Sequence, residues 1–314
     1  LGIQAPFTGR GKLPQRPITP YLEQFPPHGV RFNHCHTMPF TITGQLQSGR
    51  FVIPGDISSQ FVTGLLYALP LLKQDSEIAI VGRLESKPYV DMTISVLQQF
   101  GIAIQTVSDR LYRIPGGQQY QPCHYAVEGD YSQAAFFLVA GACQGGLAVD
   151  GLKAGSAQGD RAILDLLMRC GCSITRQGET VSVAADRLCA FSADATDIPD
   201  LVPILSVLAL HCHGKSVITG VRRLRIKESD RLAAVSEVFS ALGGRLQADE
   251  NQLTLYGPAS LHGAEVDSHN DHRIAMATAI AALGAAGPVT LHTAESVKKS
   301  YPNFYQDYQQ LGGK

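Results

Sequence analysis

Residues 226–231, "IKESDR", hold two cations and two acids, and an apolar run follows them. The last four letters read as the first turn of a helix. Cations are disfavoured there, because the aligned peptide dipoles already put partial positive charge at a helix N-terminus. Lys227 and Arg231 in that place point to a bound anion that offsets them: free N–H groups at a helix start form an anion site, which a neighbouring Lys or Arg strengthens. Glu228 stands between the two cations, which favour its ionised form. It can donate a proton only if burial or substrate charge raises its pKa; the alternative is an i,i+3 surface ion pair with Arg231. Other polar residues gather at helix starts in the same way: Ser58, Ser59 and Gln60; Ser86 and Lys87; Asp200; and Asn270, Asp271, His272 and Arg273. Ser, Asp and Asn are ordinary N-caps, but the cations are not. Several such starts brought together would hold a ligand with more than one anionic group.

The elements that must position them come from a repeat. Four amphipathic runs end in glycine before a short β-branched stretch, with the glycines at 29, 101, 171 and 243, spaced 72, 70 and 72 residues apart. Each suits a helix C-cap. A second set of runs, apolar nearly all round and therefore expected to be buried, follows the acids Asp56, Asp130, Asp200 and Asp271. Strand-like runs such as "GRFVIPG", "HYAVEG" and "QLTLYG" lie between. One unit of strands plus two helices thus recurs four times, at a period longer than the 20–50 residues of most solenoids, which indicates packed α/β repeats. Pro26 and Pro27 fall where the first amphipathic helix should still run, and proline breaks helices.

The 314 residues are 45% hydrophobic and 17% charged, an ordinary globular balance, with a formal net charge of -1. No basic field argues for nucleic acid or an anionic membrane, and no run has the roughly 18 apolar residues of a transmembrane helix. The seven scattered cysteines fit reduced, buried thiols in a cytoplasmic protein. "HCH" at 34–36 and at 211–213 would place two imidazoles on one strand face, but no further ligand has metal-site spacing nearby. "CGC" at 170–172 lacks redox-pair spacing and reads as core. "GLKAGSAQGD" carries neither nucleotide-binding pattern and reads as a loop.

"QRPI", "GDISSQF", "SKPYVDMT", "VEGDYSQAAFFL", "DIPDLVP", "LRIKESDRL", "NDHRIAMA" and "KKSYPNF" occur in this order. Together they resemble the 5-enolpyruvylshikimate-3-phosphate synthase family over essentially the whole chain. The resemblance implies the α/β, two-domain enolpyruvyl transferase fold of βαβαββ repeats around buried helices. It further implies an incomplete N-terminal domain at 1–125, holding the last part of three repeats, and a C-terminal domain of three repeats at 126–314. The first third of the family's length would then be absent. The implied reaction is transfer of the enolpyruvyl group of phosphoenolpyruvate to the 5-hydroxyl of shikimate 3-phosphate by addition and elimination, without cofactor or metal, in a cytoplasmic monomer.

Position by position, the resemblance implies that Ser58, Ser59, Ser86 and nearby Tyr89 bind the shikimate phosphate. Gln60 would lie where both substrates are reached, and Arg223 in the shikimate site. Arg16 and Lys299 would bind the phosphoenolpyruvate phosphate, and Arg231 and Arg273 its carboxylate, a task suited to forked guanidinium geometry. Asp200 and Lys227 would act on the reacting hydroxyl, with Asp200 the base, and Glu228 would transfer the proton, with His272 beside it. The family's N-terminal Lys-Ser segment, a nearby Arg and an Asn-x-Gly-Thr loop have no counterpart. One alternative is therefore an inactive or split fragment that binds one anionic substrate, or that a complementing N-terminal segment restores. Another is enolpyruvyl transfer to a UDP-N-acetylamino sugar, against which stand "SSQ", "SKPY" and the lack of a loop cysteine within residues 1–16.

Overall fold

The computed structural model describes residues 3–33 and 38–313, and the chain divides into two compact units, Leu1–Ala126 and Val127–Lys314. In unit 1, strands Ile3–Phe7, Phe40–Gly44 and Val30–Phe32 form an antiparallel sheet. Helix α1 (Thr19–Gln24) is only six residues long and passes into a 3-10 turn at Pro26–His28. That is the shortening expected where two prolines remove N–H donors. A four-stranded sheet follows, ordered Arg50–Pro54, Ser76–Val81, Leu111–Ile114, Gln105–Ser108, with the first pair parallel and the others antiparallel. Helices α2 (Ser59–Ala68) and α3 (Lys87–Gln99) make its crossovers. Alternate strand residues Phe51, Ile53, Ile78, Ile80, Tyr112 and Ile114 build its core with Leu65, Leu66 and Leu97.

Unit 2 opens with α4 (Tyr131–Gln144), then an antiparallel sheet of Leu147–Val149, Thr180–Ala184 and Ser173–Gln177 with α5 (Ala162–Arg169). Its second sheet is ordered Ser192–Asp194, Gly214–Thr219, Gln252–Gly257, Arg245–Ala248. It has the strand directions of the four-stranded sheet in unit 1, and α6 (Val202–His211) and α7 (Arg231–Ala241) are its crossovers. A parallel pair, Glu265–Asp267 with Thr290–His292, is joined through α8 (His272–Ala282) and followed by the turn Ala294–Lys299 and α9 (Phe304–Gln310). None of the described helices is long and apolar enough to cross a membrane.

The periodic glycines do what their spacing indicates: Gly29, Gly101, Gly171 and Gly243 have φ of 86°, 78°, 95° and 90°, the left-handed region in which glycine ends a helix without steric cost. The buried helices α4, α6 and α8 pack against one another and are covered on nearly every side. Helix α2 departs from that expectation. Only Ser59, Phe61, Val62, Leu65 and Leu66 of its ten residues are buried, because it meets its sheet, α3 and the Tyr21 ring of α1 and turns its other face outward. "HYAVEG" is not a strand either: no strand pairs with it among the described residues, and it is held instead by Gly129 N–H donating to the Gly151 carbonyl, Gln158 Nε2 to the Gly129 carbonyl and Ser156 Oγ to Glu128, each at 2.9 Å.

Adjacent parallel strands place the starts of α2 and α3 side by side, and Gly55 sets the spacing. Its carbonyl accepts from Glu85 N–H at 2.9 Å, and a Cβ on it would lie 2.4 Å from the Arg83 carbonyl oxygen. Gly55→Ala must therefore push the two loops apart. Urea unfolding of the variant should show a loss of about 2 kcal/mol, typical of overpacking; an unchanged midpoint would mean that the loops can separate freely.

Candidate active site

Apart from Arg16, the candidate residues lie where parallel strands end. Beyond the C-terminal ends of Arg50–Pro54 and Ser76–Val81 come Ser58–Gln60 and Ser86. Beyond Ser192–Asp194 and Gly214–Thr219 come Asp200 and the segment 222–231. Beyond Glu265–Asp267 and Thr290–His292 come Asp271–Arg273 and Lys299. Strand carboxyl ends opening onto helix starts are the usual ligand positions of open α/β sheets.

In unit 2 these segments converge on one guanidinium. Arg231 is fully buried. Its Nη1 donates to Asp200 Oδ1 at 2.8 Å and its Nη2 to Glu228 Oε2 at 2.6 Å. Its Nε and Nη2 donate to the two oxygens of Asp271 at 3.0 and 3.3 Å. Asp200 also meets Arg273 Nη2 at 3.0 Å and Lys227 Nζ at 3.6 Å. Arg273 is held by Ser132 Oγ at 3.2 Å, which is itself bonded to the α4 cap, Asp130, at 2.7 Å. Arg223 donates to the Thr196 carbonyl at 2.9 Å. Arg273 Nη1, His272 Nδ1 and Gln133 Oε1 are buried and make no hydrogen bond among the described residues. Buried polar atoms left in that state mark where a ligand would complete the pairing.

Two sequence expectations change here. The helix begins at Arg231, with Asp230 as its cap accepting from Ala233 N–H at 3.1 Å, so Glu228 and Ser229 precede it instead of opening its first turn. Arg231 is offset by three carboxylates of its own chain, two of them more than 30 residues distant, and its pair with Glu228 is not a surface pair, since the guanidinium is wholly buried.

The electrostatics follow from this packing. Burial alone would raise the Asp200 pKa, but Arg273, Lys227 and Arg231 outweigh it and hold the carboxyl well below its usual range. Asp271 is likewise lowered against its burial, chiefly by Arg231. Burial lowers the Lys227 pKa more than Asp200 raises it. His272 is pushed down to about 4 by burial and by Arg273, so it is neutral near pH 7 and is not an imidazolium proton donor there. Lys299 is exposed and donates from Nζ to the Asn270 carbonyl.

In unit 1, Ser58 caps α2, its Oγ accepting from Gln60 N–H at 3.3 Å. Ser59 is buried and Gln60 exposed. Buried Ser86 caps α3 at φ 58°, its carbonyl accepting from Tyr89 N–H at 3.1 Å. Arg16 follows the turn Leu13–Gln15. Asp271, Ser132 and Ser229, which donates to Asp271 at 3.1 Å, were not singled out from the sequence as site residues. For Asp271 the signals were the run of acids Asp56, Asp130, Asp200 and Asp271 and its place among the polar residues at a helix start; Ser132 and Ser229 had none.

His211 closes α6 and its Nδ1 meets the Val207 carbonyl at 2.9 Å, so the second "HCH" does not lie on a strand. The first lies outside the described residues. Among those residues no group of three or more His, Cys, Asp and Glu side chains could hold a metal ion.

The fold matches solved structures of two enolpyruvyl transferases. EPSP synthase from Acinetobacter baumannii superposes with a TM-score of 0.81 at 23% identity, covering all of this chain and 74% of that one. The enolpyruvyl transferase NikO from Streptomyces tendae gives 0.81 at 20% identity, covering 99% and 73%. The chain thus has the enolpyruvyl transferase fold. By sequence, residues 2–308 match the family described as EPSP synthase (3-phosphoshikimate 1-carboxyvinyltransferase). The 3-phosphoshikimate 1-carboxyvinyltransferase of Clostridium kluyveri is 43% identical over the whole chain and 74% of its own length. That of Clostridium acetobutylicum is 44% identical over 98% of the chain and 72% of its own length. The chain belongs to the EPSP synthase family.

The His272 shift carries a sign. Between its ordinary value of 6.5 and its folded value of about 4, the unfolded chain takes up a proton that the folded one refuses. Stability must therefore fall as pH drops through that window, by an amount on the order of 3 kcal/mol from this residue alone. Urea unfolding from pH 7 to 4 should show the decline, and His272→Gln should flatten it; an unaltered slope in the variant would contradict the buried, neutral imidazole.

Proposed function

We propose that this chain transfers the enolpyruvyl group of phosphoenolpyruvate to the 5-hydroxyl of shikimate 3-phosphate and releases phosphate. What carries the reading is the continuous cluster Lys227–Asp200–Arg231–Glu228 with Arg273, in a member of this family. Arg231 and Arg273 bind the phosphoenolpyruvate carboxylate and Lys299 and Arg16 its phosphate. Ser58, Ser59, Ser86 and Tyr89 bind the shikimate phosphate, Gln60 reaches both substrates, and Arg223 serves the shikimate site. The hydroxyl oxygen adds to C2 while Glu228 protonates the C3 methylene, and Asp200, with Lys227 beside it, takes the hydroxyl proton. The tetrahedral adduct then expels phosphate while the carboxylate left on Glu228 takes back a C3 proton, restoring the double bond, and Asp200 gives its proton to the departing phosphate.

The same arginines that meet the substrate carboxylate hold Asp200 in the free protein. Sharing them with that carboxylate weakens the field that depresses Asp200, and its basicity rises as the second substrate arrives. Binding phosphoenolpyruvate thereby primes the base. The polar helix starts of unit 1 favour shikimate 3-phosphate over a UDP-sugar. The reading is of a cytoplasmic monomer; the six described cysteines are free, but only Cys143, Cys170, Cys172 and Cys212 are buried or half-buried, whereas Cys123 and Cys189 are exposed, against the expectation of buried thiols.

Phosphate release by the 314-residue chain should require both substrates. Release from phosphoenolpyruvate alone, or none at all, would count against this activity for the chain by itself. Glu228→Gln should lower kcat by about 10²–10³, as for loss of a general acid, with KM for both substrates within about twofold. Parallel losses in kcat and affinity would remove Glu228 from the proton-transfer role.

A further inference from the structure

Among the described residues, four non-glycine positions have positive φ: Ser86 at 58°, His269 at 53°, Asn270 at 55° and Thr293 at 52°. Asparagine and histidine visit this region readily, but a β-branched residue does so only where its surroundings force it. Such outliers concentrate where geometry serves function. Thr293 has no glycine in its place, although glycine would adopt this backbone freely, so the side chain must supply something.

What it supplies is a set of hydrogen bonds. Thr293 Oγ1 donates to Asp267 Oδ1 at 2.5 Å and lies 2.6 Å from Ser268 Oγ. It accepts from Asn270 N–H at 3.4 Å. Ser268 Oγ also reaches the Thr293 carbonyl at 3.0 Å and Ser296 Oγ at 3.3 Å. The bond from Thr293 helps lower the Asp267 pKa, so this acceptor stays charged near neutrality. The Asn270 backbone is thus held on both sides, its N–H by Thr293 and its carbonyl by Lys299 Nζ. The next residue is Asp271, which caps α8 and grips Arg231.

We infer that Thr293 is a positioning residue for phosphoenolpyruvate binding: through Asn270 it fixes the place of Lys299 and the entry to α8. This rests on the proposed reading that Lys299 binds the substrate phosphate. Thr293 touches no reacting atom in this account. Its hydroxyl sets where one cation stands, and its strained backbone turns the Ala294–Lys299 segment back toward Asn270.

Three substitutions separate this from a merely structural role. Thr293→Val keeps the branched shape and removes the hydroxyl, Thr293→Ser keeps the hydroxyl, and Thr293→Gly relieves the backbone while losing the hydroxyl. With shikimate 3-phosphate present, calorimetry should show phosphoenolpyruvate Kd raised about tenfold in the Val and Gly variants, the size of a hydrogen bond's net contribution. It should be restored to within about twofold in the Ser variant. Shikimate 3-phosphate Kd should stay unchanged, and Tm in the Gly variant should be equal or higher. Amide exchange at Asn270 and Asp271 should quicken in the Val and Gly variants only.

Wild-type affinity in Thr293→Val, or a loss shared equally by both ligands and tracking a fall in Tm, would overturn the inference. Lys299→Ala separates the two failures. If it leaves phosphoenolpyruvate affinity intact, the Lys299 assignment falls and the inference with it; if it weakens binding while Thr293→Val does not, Thr293 alone is wrong. Should the wild-type chain bind neither ligand, the exchange rates at Asn270 and Asp271 decide whether Thr293 holds this turn.

Discussion

A guanidinium with no access to water must be paired on the spot, because an unpaired buried charge is among the costliest features a fold can carry. Arg231 meets that demand with carboxylates from three segments, at 200, 228 and 271. Its pKa is raised although burial opposes this, so the charge is permanent. The three acids are therefore drawn together whenever unit 2 is folded. The starts of α6, α7 and α8 cannot drift independently, since each contributes a residue to this pairing or lies next to one. Asp271 does most of the joining: it caps α8, accepts from Ser229 and binds Arg231 twice.

The same arrangement accounts for the chemistry proposed. Three cations crowd Asp200, and burial pushes Lys227 toward losing its proton while Asp200 opposes it. In the proposed reaction this cluster exchanges internal partners for substrate carboxylate and phosphate groups. It is presented at strand carboxyl ends by a topology used twice in full, once in each unit. The helices behind it in unit 2, α4, α6 and α8, are apolar on nearly every face and lock against one another, which gives the polar cluster a rigid base.

The repeat was legible in the sequence because glycine at a left-handed helix end and the two-helix alternation recur at constant spacing. The family was legible in eight ordered motifs. The distant partners of Arg231 were not, although its i,i+3 pairing with Glu228 was. A cation at a helix start looks the same in sequence whether a ligand or a distant carboxylate offsets it, and Asp200 and Asp271 are 31 and 40 residues away. The pairing role of Asp271, and Ser132 and Thr293 altogether, were missed for a related reason: caps and hydroxyls are common at helix and strand ends, and only tertiary placement distinguishes these. The expected strand at "HYAVEG" failed because alternation of residue types does not provide a neighbouring edge to pair with. The expected all-round burial of α2 failed because in unit 1 it packs on one side.

The central claim is that Arg231 and Asp271 act as one buried unit, and a double-mutant cycle in urea unfolding tests it most directly. Arg231→Met and Asp271→Asn should each cost about 3–5 kcal/mol, as expected when one partner of a buried pair is removed. The double variant should cost well under their sum, with a coupling of about 2 kcal/mol or more. Simple additivity would contradict the account, because it would mean that the two residues contribute to stability independently and that the buried charge is satisfied elsewhere.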